Sequence, residues 1–321
     1  ESLSDSTIYP AFYTIADKIK DFNPEQLTEE FFDYVFLGIG KAIDERHEEL
    51  RKTFFYWYPV DSRHSGPDLI RNHLTFYIMN HVAIFPEELW PKQIVVNGFV
   101  LMEGKKMSKS LGNIIPLRKV IREHTADVVR FAVIANSDLM QATNFNKELI
   151  EGIKLRLSYF EDVIKRCNKN GKNGNTMAEK WIKASLAKKI DKLKDYVDEL
   201  NFRQIGKELF YDFYHDLRLY DAIKNGNVEI KSLMLNWLTA ISPLFPIFTK
   251  KFKKKRLNIK YNEFDKSLLA SMEVVKSLHG EIEKFLQKTK KQKEEIESIK
   301  VIVPARWKYE FYKTIQIIGK D

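Results

Sequence analysis

A single cysteine, Cys167, stands in a chain of 321 residues. That excludes a disulfide framework and any zinc site built on paired thiolates, and it points to a reducing compartment. No apolar run approaches the ~18 residues that a membrane span needs. The N-terminus has no basic stretch followed by an apolar one, so a secretory signal is not expected either. Internal repeats are lacking as well. The chain opens on Glu1 without a methionine, inside what reads as working sequence, and the expectation is a piece of something larger.

What is present suffices for a core. Hydrophobic residues make up 44% and charged ones 30%, without the depletion that marks disorder. The length predicts two or three domains. A net charge of +9 favours a polyanionic partner, because net charge governs association and not fold.

One stretch, 101–113, organises the rest. Lys106, Met107, Ser108, Lys109 and Ser110 spell K-M-S-K-S between Gly104 and Gly112. Glycines let such a loop turn tightly, so that two ammonium groups and two hydroxyls can surround a triphosphate. Cations already in place at a pyrophosphate leaving group make a large catalytic contribution. A bare K-x-x-K reads as a solvated basic turn; the full string, after a strand and a glycine, is far more specific. Residues 94–100 are β-branched and predict a buried strand before the loop, and 127–131 begin a helical pattern after it.

Upstream, Ser4-Asp5-Ser6-Thr7 predicts a helix start, with Ser6 and Tyr9 on one face. Acidic, helical segments at 28–35 and 43–50 read as surface helices insulating the site layer. Residues 56–61 read as a short aromatic strand closed by Pro59. In Gly66-Pro67-Asp68, the carboxylate either caps the following helix or holds a ribose diol. His73 lies on that helix. Strand, helix, strand, loop and helix in this order predict an α/β unit with a parallel sheet, whose ligands sit beyond the strands' carboxyl ends.

From about Asn136 the pattern turns to long amphipathic stretches at 148–167, 177–200, 202–225 and 229–241. With turns at 168–175 and 225–227, they predict an all-α antiparallel helix bundle. Cys167 reads as a helix end without chemistry, and Phe210, Tyr211, Phe213 and Tyr214 as bundle core. Lys250, Lys251, Lys253, Lys254, Lys255 and Arg256 form a basic run around Phe252. It is either a solvated face or a set of phosphate contacts. Residues 274–300 read as a charged helix, and a strand-like segment begins at Val301.

The K-M-S-K-S string resembles the signature loop of class I aminoacyl-tRNA synthetases. Segments 3–9 (L-S-D-S-T-I-Y), 58–61 (Y-P-V-D), 65–70 (S-G-P-D-L-I), 72–76 (N-H-L-T-F), 81–85 (H-V-A-I-F) and 97–118 resemble, in order and spacing, the leucyl-tRNA synthetases of the archaeal and eukaryotic type. The resemblance covers residues 1 to about 150 closely and the bundle more loosely. It implies a division into 1–135, the C-terminal half of a Rossmann-like catalytic domain; 136–150, a connector; 151–285, a helical tRNA-binding bundle; and 286–321, the start of a truncated C-terminal domain. It also implies a cytoplasmic leucine–tRNA ligase fragment or subunit using leucine, tRNA(Leu) and ATP with Mg2+ as substrates, with no protein-bound metal in this chain.

By that resemblance Lys106 and Lys109 stabilise the pyrophosphate as leucine attacks the α-phosphate, and Met107, Ser108 and Ser110 shape the loop. Asp68 holds the ribose with Gly66 allowing close approach, His73 lies near the adenylate, and Ser6 and Tyr9 belong to the amino-acid pocket. The family's His-x-Gly-His string does not occur here, an editing domain is absent, and Thr125 stands where the family favours glycine. The missing half is therefore expected as a separate subunit or a removed segment. Two alternatives are a tRNA-binding module without catalysis and a synthetase for another aliphatic amino acid.

Overall fold

The N-terminal helices form where the capping residues place them, and they share one apolar cluster. Helix α1 (Ser2–Tyr13) is the exception: it already runs from Ser2, so the expected capping residues Ser4 to Thr7 lie inside its first turns, where the Ser6 and Thr7 hydroxyls donate back to Leu3 O and Ser4 O. Helix α2 (Glu29–Phe32) is capped by Thr28, whose hydroxyl accepts from Phe31 N at 3.4 Å. Helix α3 (Glu45–Trp57) is capped by Asp44, which accepts from His47 N at 2.9 Å. Their inner faces and the turns between and after them meet in a core of Ala11, Ile15, Ile19, Phe22, Phe31, Val35, Leu50, Phe54 and Tyr58. So α2 and α3 are more than a surface layer: each supplies core side chains.

The computed structural model describes residues 2–167, 176–224, 230–252 and 265–289. The expected turns at 168–175 and 225–227, the basic residues Lys253 to Arg256 and the strand from Val301 lie outside the described residues. The chain divides into two units, Glu1–Phe264 and Asp265–Asp321.

The expected aromatic strand at 56–61 is not one. Helix α3 continues through Trp57, and Tyr58 turns its ring into the core, 4.8 Å from Phe54. Phe54 and Tyr58 are four apart, a helical spacing that aromatic β-propensity disguised. Strand β1 (Arg63–Ser65) begins only after Pro59. Helix α4 (Thr75–Ile84) then crosses to β2 (Ile94–Val96), which pairs parallel with β1 in the register Arg63↔Ile94. The parallel strand–helix–strand order is as predicted, with its first strand at 63–65 and not at 56–61.

The expected single strand at 94–100 is two. After β2 the chain leaves the first sheet, and β3 (Val100–Met102) joins a second one, in the order β4-β3-β5. Strand β4 (Lys105–Lys106) folds back on β3 through Glu103 and Gly104, both at positive φ, +48° and +76°. Two such residues make the hairpin turn whose twist matches antiparallel strands. Gly98 causes the break. A Cβ there would overlap the Gln141 carbonyl, and Gly98 N donates to Leu139 O at 2.6 Å.

Helix α5 (Leu117–His124) and helix α6 (Ala126–Ile134) meet at Thr125, which sits at φ +69°, ψ +154° without a capping bond from its side chain. Only glycine takes that conformation freely. On α6, Val128, Val129, Phe131 and Ala132 are buried. Strand β5 (Thr143–Phe145) pairs parallel with β3, so strand structure does persist beyond Asn136.

The remainder is helical. Helix α7 (Lys147–Cys167) buries Ile150, Ile153, Leu157, Phe160 and Ile164 at alternating spacings of three and four. Helix α8 (Met177–Asp191) opens with a reciprocal Thr176–Glu179 capping box, and α9 (Leu193–Asp198) follows it. Helix α10 (Phe202–Gly206) leads through a wide turn into α11 (Phe213–Ile223), and α12 (Lys231–Ile241) and α13 (Pro246–Lys250) complete the first unit. Phe210 and Phe213 are fully buried and Tyr214 nearly so, as the sequence predicts, whereas Tyr211 is only half-buried, its hydroxyl donating to Asn136 Oδ1 at 3.3 Å. The ring of Phe160 stacks on Trp237 at 4.2 Å. Buried Asp127, in the first turn of α6, accepts from Phe248 N of α13 at 2.7 Å and so ties the strand-bearing part to the helices. Helix α14 (Lys266–Thr289) belongs to the second unit and starts eight residues before the predicted position.

Two substitutions test this account. Thr125→Gly relieves strain of order 1–3 kcal/mol, less the extra chain entropy of glycine, and should raise stability by about 1 kcal/mol in urea denaturation. Gly98→Ala forces backbone apart at the crossing between sheets. It should lower stability by about 1–3 kcal/mol in the same measurement.

Candidate active site

Because β1 and β2 run parallel, their carboxyl ends lie on one edge, where ligands of open α/β sheets bind. Gly66-Pro67-Asp68 follows β1 directly. Asp68 sits inside the short turn Pro67–Leu69, and its Oδ1 lies 2.7 Å from where a Gly66 Cβ would be. Any side chain at position 66 would displace that carboxylate. Among the described residues the Asp68 side chain makes no capping bond, so the capping alternative has no support in the geometry, and the carboxylate is exposed to an incoming donor.

The signature loop begins at β4. Lys106 projects its ammonium over the Phe99 ring, 4.8 Å from the centroid, a favourable cation–π distance. Met107 and Ser108 are half-buried, and Lys109 and Ser110 are exposed. The hydroxyls of Ser108 and Ser110 hydrogen-bond at 2.7 Å. Asn113 clamps the loop from inside: its Oδ1 accepts from Ser108 N at 2.8 Å, and its Nδ2 donates to Lys106 O at 3.0 Å. Gly112, at φ +63°, makes the return turn. At the base of the loop, Gly104 N donates to Asn144 Oδ1 at 2.7 Å. Neither Lys106 nor Lys109 has an acidic side chain within ion-pair distance among the described residues. Their charges are therefore uncompensated and available to an anion.

Ser6 and His73, 67 positions apart, come together where α1 packs against the turn before α4: Ser6 Oγ and His73 Nδ1 are 3.4 Å apart. Tyr9 lies one turn on from Ser6, 55% exposed, with its ring edge-on to Tyr13 at 6.2 Å. Sequence reasoning missed two contributors. Arg63, from β1, donates from Nη2 to His73 Nε2 at 2.7 Å and lies over the Tyr77 ring at 4.3 Å. Tyr77 is four residues beyond His73, so helical spacing alone could have flagged it. Burial, and next the Arg63 charge, lower the pKa of His73. Asn113 was visible only as a loop member; its double role follows from the readiness of asparagine to hydrogen-bond nearby backbone.

The structure thus gathers three groups: Ser6 with His73, Gly66 with Asp68, and Lys106 to Ser110 around Asn113. Among the described residues no hydrogen bond joins one group to another. A cleft of about 500 Å³, lined by Asn97, Gly98, Val100, Thr143, Phe202 and Arg203 among others, contains none of the predicted site residues. Lys250 and Lys251 are exposed at the end of α13. Among the described residues there is no group of three or more His, Cys, Asp or Glu side chains that could hold a metal ion, and no helix is long and apolar enough to cross a membrane.

Residues 26–146 match the family described as tRNA synthetases class I (I, L, M and V). Over 267 residues the chain is 43% identical to leucine–tRNA ligase 2 of Sulfurisphaera tokodaii, covering 78% of this chain and 28% of that protein. It is 39% identical over 273 residues to the leucine–tRNA ligase of Ignicoccus hospitalis, covering 78% of this chain and 27% of that one. The chain therefore spans under a third of the length of these relatives. Among solved structures, the LeuRS of Agrobacterium radiobacter K84, in a ternary complex with tRNA and LeuAMS, superposes over 69% of this chain and 30% of its own, with a TM-score of 0.53 and 17% identity. The methionyl-tRNA synthetase of Mycobacterium tuberculosis in complex with methionyl-adenylate covers 62% of this chain and 45% of its own, with a TM-score of 0.50 and 18% identity. At such identities the likeness concerns the fold. Clamped signature loop, parallel strand edge and sequence kinship agree: the chain belongs to the class I tRNA synthetases, as a relative of the leucine–tRNA ligases.

Proposed function

We propose that this chain supplies the K-M-S-K-S half of a leucine-activating site, in the cytoplasm, and that a second polypeptide or segment with a His-x-Gly-His motif completes it. The observation that carries the reading is the loop itself: two ammonium groups without acidic partners among the described residues, on a backbone clamped by Asn113.

In the reaction the leucine carboxylate attacks the α-phosphate of ATP, which enters as its Mg2+ complex, and pyrophosphate leaves. Lys106 and Lys109 hold the negative charge that grows on that leaving group, the Asp68 carboxylate accepts from the ribose hydroxyls, and Gly66 leaves room for the sugar. Ser6, Tyr9 and His73 border the amino acid, with His73 reaching toward the adenylate. The chemistry is positioning and charge stabilisation, since the loop geometry exists before the transition state forms. Transfer of leucine to tRNA(Leu) follows. The helices of 151–285 would act as an antiparallel bundle holding the tRNA. Lys250, Lys251, Lys253, Lys254, Lys255 and Arg256 would contact its phosphates, which makes binding fall steeply with salt.

Leucine-dependent ATP–pyrophosphate exchange tests this reading, with the chain alone and with a polypeptide carrying the missing half. Exchange is expected only with both present. Lys109→Ala should then lower the exchange rate by on the order of 100-fold, about 2.7 kcal/mol of transition-state stabilisation. An unchanged rate in that variant would remove the proposed role of the loop. Salt-sensitive tRNA binding without any exchange would instead favour the non-catalytic module, and exchange with another aliphatic amino acid would reassign the substrate.

A further inference from the structure

We propose that Arg63 is a positioning residue of the amino-acid pocket, which holds His73 in one uncharged tautomer with its proton on Nδ1, facing Ser6. The assignment rests on the proposed reading of Ser6 and His73 as pocket residues only for its functional consequence. The geometric part stands on contacts within this chain.

A guanidinium carries donors and no acceptor. With Arg63 Nη2 only 2.7 Å from His73 Nε2, that nitrogen must present its lone pair, and the imidazole proton resides on Nδ1. Across from Nδ1, at 3.4 Å, stands Ser6 Oγ. The Ser6 hydroxyl hydrogen is already directed at Leu3 O, 3.0 Å away, which leaves the oxygen lone pairs to accept. The chain of donors runs one way: Arg63 to His73, His73 to Ser6, Ser6 to the α1 backbone. The opposite tautomer would set an N–H against an N–H. A protonated imidazole would place a second cation beside the guanidinium.

The position of Arg63 is itself fixed. Its backbone N donates to Gln93 O at 2.9 Å beside the β1–β2 pairing, and its guanidinium lies over Tyr77, 4.3 Å from the ring centroid. From β1 the charged group facing His73 is Arg63, from α1 the facing side chain is Ser6, and α4, which follows the turn bearing His73, supplies Tyr77 beneath the guanidinium. Among the described residues no acidic side chain lies within ion-pair distance of His73, so nothing draws a proton onto it. Burial and the Arg63 charge act in the same direction, lowering its pKa below the usual 6.5.

The consequence concerns the substrate. An amino acid enters with an ammonium group and, for an aliphatic residue, an apolar side chain. A neutral imidazole tolerates both, whereas an imidazolium repels the first and is poorly solvated by the second. Arg63 therefore acts on substrate binding through His73 and touches no reacting atom.

The test is NMR of the imidazole nitrogens and carbons in the full chain, with the His73 signals assigned by loss in His73→Gln. The wild type should show the Nδ1–H tautomer and a titration midpoint below that of an ordinary histidine. Arg63→Met keeps an apolar stem over Tyr77 and removes the donors. It should mix the tautomers and raise the midpoint. Arg63→Lys retains a charge and a donor and should keep the wild-type tautomer. In the complemented enzyme, Arg63→Met should raise KM for leucine about three- to tenfold as pH falls from 7 to 5.5, with kcat changed less than about twofold. An Nε2–H tautomer in the wild type, or a tautomer and midpoint indifferent to Arg63→Met, overturns the assignment even if the enzyme is active. Absence of exchange in the complemented enzyme overturns the synthetase reading and leaves the nitrogen signals to decide the role of Arg63. Should Arg63→Met fail to fold, the wild-type tautomer and the Arg63→Lys variant decide it.

Discussion

Where the chain passes from the first sheet to the second, the backbone at Gly98 lies directly against that of Gln141, with no room for a side chain between them. Much of the candidate site depends on that approach. It allows Gly98 N to reach Leu139 O and Phe99 O to accept from Thr143, and these bonds bring β5 alongside β3. Strand β3 then carries β4 and the signature loop, and Asn144, next along β5, holds Gly104 at the base of the loop. A loop of flexible, charged residues thus acquires a defined origin. Its interior is fixed separately by the two bonds of Asn113, so ordering it costs the ligand less conformational entropy on arrival.

The charged groups of the site fall into two kinds. Lys106 and Lys109 are exposed and, among the described residues, without acidic partners, a state in which an arriving anion can supply the compensation. The imidazoles near α4 are held differently. His81 is fully buried, accepts from the Tyr58 hydroxyl at 3.2 Å and donates to Tyr77 O at 2.8 Å. Burial lowers its pKa, as it does that of His73. The strained backbone at Thr125 and the buried carboxylate of Asp127 mark the joint between α5 and α6, where the strand-bearing part meets the helices.

Much of this was legible because it is local. The K-M-S-K-S string, the Gly66-Pro67-Asp68 turn after a strand, the parallel pair across α4 and the apolar stripe of α7 all follow from spacing and turn chemistry within a few residues. The unusual residue at Thr125 was visible too, as a departure from the family's pattern. The misreadings came where two local signals compete. Aromatic residues at 54–58 carry β-propensity and helical spacing together, and packing of Tyr58 into the core chose the helix. The apolar run at 94–100 looked continuous because a steric conflict 43 positions downstream, between Gly98 and Gln141, leaves no local trace.

By itself, the sequence determined which chemical groups are available and on which kind of element each stands: two lysines on a glycine-bracketed loop, an aspartate after a strand, a serine and a histidine on helical faces. Tertiary structure alone decided which of them meet. Arg63 and Ser6 reach His73 from opposite ends of the first 73 residues, and Asn144 reaches Gly104 across 40. Such contacts depend on how strands register and how close two backbones can come. Those are properties of the packed chain, to which no single segment holds the answer.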